Sequence, residues 1–317
     1  MPVDFFVTGV QKGGTTALDL YLRAHPQIQM ATVKEVHHFD DETVSWEAPD
    51  HSRLESFFDW SISGIVRGEA TPIYIYWPDS LKRLHHYNAA AKLIVGLRHP
   101  TFRAFSHWRM ETKRGSESLP FENAIGWEAR SRVRRTPRGA HRIFSYVERS
   151  FYSTQITDLL NLFPRHQVFF HRMDFLWRDP ENVLRDIQQF LNVTANTGQE
   201  RRYVVPIDTT DVGSLSPSAR ATLDQMFVDD IRATASLTQL DLSDWLEPYY
   251  QESIGAGDRP RSLPEAMRGV RSDRSRTGFD FLNAYGACDT LKRTPDRPFI
   301  PTRQAVDSSG ISEPRAA

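Results

Sequence analysis

Two short segments carry residue types suited to holding an anion and moving a proton. Gly9–Thr16 (GVQKGGTT) follows the apolar run Val3–Thr8 and precedes helical spacing over Ala17–Ala24, where Leu18, Tyr21 and Leu22 share a face and Pro26 lies beyond. A glycine-rich turn between strand and helix gathers backbone N–H groups at a helix N-terminus, which makes an anion nest. On the phosphate-loop pattern G-x-x-x-x-G-K-[ST], Gly9 and Gly14 take the glycine positions and Thr16 the hydroxyl position, but Thr15 stands where lysine is required. The only lysine of the turn, Lys12, lies before Gly14, which displaces the usual apparatus for β/γ-phosphates. Such a turn, taken alone, reads equally as a tight strand-to-helix connection. The second segment, Lys34–Asp40 (KEVHHFD), places carboxylates and two imidazoles within seven residues.

A third segment, Leu97–Trp108 (LRHPTFRAFSHW), sets Arg98 where an apolar strand ends and Ser106 within the helix that follows. A guanidinium binds phosphate bidentately and a hydroxyl adds one donor. The direction of Arg103 is open. A metal site from His37, His38 and Asp40 is not expected, because near-adjacent residues seldom converge on one ion. His38 reads as a packed or solvent-facing imidazole, and Trp108, Trp127, Trp177 and Trp245 read as core. Arg130–Arg142 holds six arginines. A charge run of this kind is by default a solvated surface, with an anion-steering loop as the functional reading.

The elements that must position these residues alternate in type. Strands are expected at Val3–Thr8, Gly64–Gly68, Ala91–Leu97 and Gln167–His171, and helices at Pro100–Lys113, Phe151–Phe163 and Asp179–Leu191, the last opened by an Asp cap and Pro180. That order predicts an α/β fold: a phosphate-loop-type three-layer sandwich whose central, mostly parallel sheet is flanked by helices, with ligands at the carboxyl ends of the strands. Residues 1–250 are expected to form the domain. Residues 251–317, rich in Pro, Gly, Ser, Arg and Asp, read as a tail that is partly ordered or docks onto it through islands such as Phe279–Leu282.

Composition narrows the function classes. The 317 residues carry 39 basic and 40 acidic side chains, a formal net charge of −1, which argues against general nucleic-acid binding. One cysteine, Cys288, excludes an intramolecular disulfide framework. No stretch approaches the ~20 apolar residues of a membrane span, and no leader pattern is present. The expectation is a cytoplasmic protein with no membrane partner.

Together QKGGTTAL, KEVHHFD, EATPIY and LRHPTFRAFSHW resemble the sulfotransferases that use 3'-phosphoadenosine 5'-phosphosulfate (PAPS), closest to the carbohydrate branch that holds the heparan sulfate enzymes and their bacterial relatives. The resemblance covers about residues 4–247, where LSPSARATLDQMF and DLSDWL look like the closing segment of bacterial members. It implies that the amides of Gly13, Gly14, Thr15 and Thr16, with the two threonine hydroxyls, bind the 5'-phosphosulfate, and that Lys12 stabilises the leaving group. It further implies that Arg98 and Ser106 bind the 3'-phosphate, that Glu35 is the base, made effective at neutral pH by a pKa that partial burial raises, and that His37 orients the acceptor or shares the proton. PAPS would be the co-substrate and PAP the product, with no metal, and the acceptor a carbohydrate or small molecule. Tyr152 falls where relatives place residues near the nucleotide. Two departures stand out. Ala70 occupies the place of a lysine in the heparan sulfate enzymes, which weighs against a sulfated polysaccharide acceptor. A basic glycine loop to close over the nucleotide is hard to find, since Pro206–Ser216 offers Gly213 but no cation, and the nearest are Arg201 and Arg202. A small-molecule kinase using Mg-ATP and a catalytically inactive nucleotide-binding relative remain as alternatives.

Overall fold

In a computed structural model, residues 2–196, 209 and 211–252 are described. Five strands, β1 (Phe5–Gly9), β2 (Ile28–Met30), β3 (Val66–Ala70), β4 (Lys92–Leu97) and β5 (Val168–Arg172), form one sheet in the order β2-β3-β1-β4-β5. Every pairing is parallel. The helices are α1 (Thr15–Arg23), α2 (Ser52–Glu55), α3 (Ser80–Tyr87), α4 (Pro100–Lys113), α5 (Phe121–Ala124), α6 (Trp127–Arg134), α7 (Tyr152–Leu162), α8 (Met173–Arg178), α9 (Pro180–Leu191) and α10 (Pro217–Thr238).

The strand β1 is buried along its whole length, as its unbroken apolar run requires of a strand covered on both faces. Its side chains alternate between two cores. Phe5 and Val7 pack with Leu18 and Leu22 of α1 and with Leu184 and Ile187 of α9, whereas Phe6 joins the cluster that holds Leu84 of α3, Phe105 of α4, Ile156 of α7 and Phe227 of α10. The three-layer architecture follows from that alternation. Helix α4 occupies the whole span expected of it, with Pro100 in its first turn, and the Asp179 carboxylate caps α9 by accepting from the Asn182 amide. The three-residue β2 and the short α3 were not expected, because neither offers enough periodicity to stand out.

The chain switches sides of the sheet between β1 and β4, so the crevice beyond their carboxyl ends is the natural ligand position. The Gly9–Gly14 turn lies there, tied to β4 by the Val10 amide donating to the Gly96 carbonyl at 3.0 Å. Its two central glycines are needed for different reasons. A Cβ on Gly13 would come within 2.6 Å of the Gly96 carbonyl oxygen, and Gly14 has φ +77° with Met173 packed where its side chain would go. Gly14→Ala is expected to cost about 1–2 kcal/mol of stability from the left-handed backbone alone, measurable as a lower denaturant midpoint.

Among the described residues no helix is long and apolar enough to cross a membrane. Residues 253–317, including the Phe279–Leu282 island and Cys288, lie outside the described residues, as do Arg201, Arg202 and Pro206.

Candidate active site

The phosphate-type loop closes on itself before helix α1 begins. The Gly13 amide donates to the Val10 carbonyl at 2.8 Å, a bond that competes with its expected use as an anion donor. Gly13 also serves the loop by admitting β4. Unpaired donors arise at the helix start, where the first-turn amides from Thr15 onward have no partner within the helix. Thr15 is buried and Thr16 half-buried there. Lys12 is no exposed turn lysine: its Nζ lies 3.8 Å from Met110 Sδ of α4, and its backbone holds φ +70°. Burial, then repulsion from Arg98 and Arg114, pushes its ammonium down to about 8 against the opposing pull of Glu111. A buried cation among other cations is a place where an anion would be stabilised.

Arg98 leaves the end of β4 and reaches back to this loop, its Nη1 donating to the Lys12 carbonyl at 3.1 Å. The Tyr152 hydroxyl donates to the Arg98 carbonyl at 2.8 Å, so the sequence position that looked nucleotide-proximal does touch the arginine. Ser106 is half-buried on α4, one turn before Met110 and hence on the helix face that meets Lys12. Arg103 turns away: fully buried, it donates to Ser150 Oγ at 2.7 Å and to the Tyr146 carbonyl. Trp108 and Trp245 are core as expected, but Trp127 is 77% exposed. Trp177 also departs from the core, since its ring sits 5.8 Å from the Arg98 guanidinium and borders Gly14.

In the Lys34–Asp40 segment the side chains form a chain of charge. Glu35 Oε1 accepts from Lys34 Nζ at 2.9 Å, its Oε2 lies 3.3 Å from His37 Nε2, and His37 Nδ1 lies 2.9 Å from Asp40 Oδ2. Burial opposes a charge on His37, but the Asp40 and Glu35 carboxylates override it and raise the imidazole to about 10. Burial likewise pushes Glu35 up, yet Lys34 and His37 outweigh it and hold the carboxyl well below its ordinary range. The expectation that burial would raise Glu35 is therefore corrected, because two cations flank it. Asp40, missed as a site residue, is fully buried and clamped by the Arg142 guanidinium. His38 turns the other way, packed and 2.8 Å from His51 Nδ1.

The EATPIY segment is the frame beneath. The Glu69 carboxylate accepts from the Val36 amide at 3.1 Å and from the Thr71 hydroxyl, Thr71 Oγ1 accepts from the His37 amide at 3.3 Å, and the Tyr74 hydroxyl accepts from the His38 amide at 2.9 Å. Burial is the main cause that raises Glu69 to about 7.

The arginine-rich stretch splits into two roles. Arg130 and Arg132 pair with Glu148 and Glu117 as part of the scaffold. Arg142, stacked 4.1 Å from the Trp77 ring, instead holds Asp40. Arg149 donates to the Arg142 carbonyl at 2.7 Å and to the Gln11 side chain in the glycine loop. A continuous bonded path thus runs Gln11–Arg149–Arg142–Asp40–His37–Glu35, joining the glycine loop to the Lys34–Asp40 segment. Two of its links, Arg149 to Gln11 and Arg142 to Asp40, span more than a hundred residues, so no local sequence signal announces how the path is joined.

Comparison with known proteins shows the family to which the chain belongs. A family model described as "Sulfotransferase domain" matches residues 2–245. The chain is 25% identical over 267 residues to the membrane-associated sulfotransferase kil1 of Dictyostelium discoideum, covering 60% of this chain and 56% of that protein. It is 28% identical over 190 residues to mouse heparan sulfate glucosamine 3-O-sulfotransferase 6, covering 59% and 51%. The chain therefore spans about half the length of the curated relatives it matches. A crystal structure of a sulfotransferase from Alicyclobacillus acidocaldarius superposes with a TM-score of 0.64 at 28% identity, over 78% of this chain and 99% of that one. A domain match over most of the described residues, laid on a sheet end where all four motifs meet, makes the chain a member of the sulfotransferase family.

Proposed function

We propose that the protein transfers a sulfuryl group from PAPS to a hydroxyl or amine of a carbohydrate or small-metabolite acceptor, in line, releasing PAP. The observation that carries this reading is the bonded path from Gln11 to Glu35, which holds an anion-binding loop and a proton acceptor at one end of the sheet. The nucleotide supplies an activated sulfuryl group; orientation and charge stabilisation are left to the protein. The first-turn amides of α1, with Thr15 and Thr16, bind the phosphosulfate oxygens, and Lys12 meets the electron pair that stays on the bridging oxygen as the S–O bond breaks. Arg98 and Ser106 take the 3'-phosphate. Glu35 accepts the acceptor's proton as the new bond to sulfur forms, while His37, held by Asp40, fixes the carboxylate in place. None of these roles calls for a metal ion.

The relatives named for heparan sulfate support a carbohydrate acceptor. Ala70 in place of lysine removes one cation from the acceptor side, and Arg142 on Asp40 brings another close by. Calorimetric titration with 3',5'-adenosine bisphosphate against Mg-ATP tests the reading. The bisphosphate is expected to bind tightly and without magnesium, and Arg98→Ala to weaken it about 10- to 100-fold, the value of a charge-assisted pair. A preference for Mg-ATP would turn the assignment to a kinase.

A further inference from the structure

The guanidinium assigned to the 3'-phosphate is already engaged by a carboxylate of the same chain. Arg98 Nε and Nη2 donate to the two oxygens of Glu252 at 2.7 and 2.6 Å, a bidentate fork. The pair is shielded, with side-chain exposures of 14% for Arg98 and 7% for Glu252, so solvent does little to screen it. Nor is Glu252 there by chance of an unanchored chain. Tyr250 stacks on His99 with ring centroids 5.0 Å apart and planes 13° from parallel, and Arg220 of α10 donates to the Tyr250 carbonyl. His99 in turn lies 3.1 Å from the Trp245 carbonyl through Nε2. The chain after α10 is thereby strapped across the start of α4, and this strap carries an acid aimed at Arg98.

Resting on the PAPS reading above, we propose that Glu252 is an internal occupant of the 3'-phosphate site, which the incoming nucleotide must displace. A carboxylate presents two oxygens to a guanidinium much as a phosphate does, but with less charge. A ligand with a 3'-phosphate can replace Glu252 on Arg98, whereas one without it leaves the pair shut. The contact keeps Arg98 neutralised in the empty enzyme and sets a threshold that only 3'-phosphorylated nucleotides cross. In the population sense, the site is competent only in the fraction of molecules with the strap open, and apparent affinity is reduced by that fraction.

The test is calorimetry on the full chain with 3',5'-adenosine bisphosphate and with adenosine 5'-monophosphate, using wild type, Glu252→Gln, Glu252→Ala, Arg98→Ala and the double variant. Glu252→Ala is expected to tighten the bisphosphate about tenfold, Glu252→Gln by less, and neither to tighten the monophosphate. The gain should vanish when Arg98 is also alanine, since it acts only through that side chain. Unchanged or weaker bisphosphate binding in both Glu252 variants, with Arg98→Ala still harmful, overturns the strap alone and makes Glu252 a support for Arg98. If Arg98→Ala leaves the bisphosphate affinity untouched, the nucleotide assignment fails first. Equal tightening of both ligands would likewise overturn the proposal, because the effect would then be general opening of the cleft.

Discussion

Glu35→Gln is expected to lower kcat by about 10²- to 10⁴-fold, the usual contribution of a positioned base, with binding of 3',5'-adenosine bisphosphate close to wild type. The substitution is nearly isosteric: an amide oxygen can still accept from Lys34, so the segment keeps its shape. What disappears is a group able to take a proton. The resting carboxylate is held low by Lys34 and His37 despite burial, so it is ionised throughout the neutral range and the acid limb of activity should lie below the ordinary glutamate pKa. A carboxylate that low is a weak base, so to serve it must lose part of the stabilisation that Lys34 and His37 supply. An acceptor hydroxyl that displaces Lys34 from Glu35 removes one of the two stabilising cations at the moment a proton must be accepted. Turnover equal to wild type in Glu35→Gln would remove Glu35 from the chemistry, and tighter nucleotide binding would mark it instead as a charge that opposes the anion.

The second large effect is expected at Lys12. Lys12→Ala should lower kcat by about 10²- to 10³-fold, as removing a preorganised stabiliser of developing negative charge does elsewhere. Its depressed pKa adds a sign that can be checked. In the free enzyme the ammonium, displaced to about 8 by burial and by Arg98 and Arg114, is charged below that pH and neutral above it. The kcat/KM of wild type should therefore fall as pH rises through about 8. An anion beside Lys12 favours the charged form, so nucleotide binding near that pH should take up a proton, visible as a dependence of the calorimetric enthalpy on buffer ionisation. Lys12→Arg, whose guanidinium keeps its proton, should lose the alkaline fall even if its rate is reduced. An alkaline limb that persists in Lys12→Arg would assign the titration elsewhere.

Much of the frame was readable without coordinates. The apolar run of β1, the Gly13–Gly14 turn, the Pro100 start of α4 and the Asp179 cap of α9 are local signals, set by sterics and by partners within a few residues. From them follow the parallel order, the helix layers and the position of Lys12 and Arg98 at strand ends; Glu35 follows β2, which the sequence did not announce. The pairings of charge were not readable in the same way. Six arginines in Arg130–Arg142 look alike in sequence, yet Arg132 braces the buried Glu117 carboxylate fifteen positions away while Arg142 clamps Asp40 from across the fold. Glu35 looked like an acid to be raised by burial, and its two neighbouring cations reversed the sign. Glu252 lay in what reads as a polar tail, and its role depends on meeting Arg98, 154 positions earlier. Composition and spacing determined which backbone shapes and reactive groups this protein has. Which charges share a low-dielectric pocket was decided only by tertiary packing, because Coulomb interactions depend on separation in space and on burial, and neither is encoded in distance along the chain.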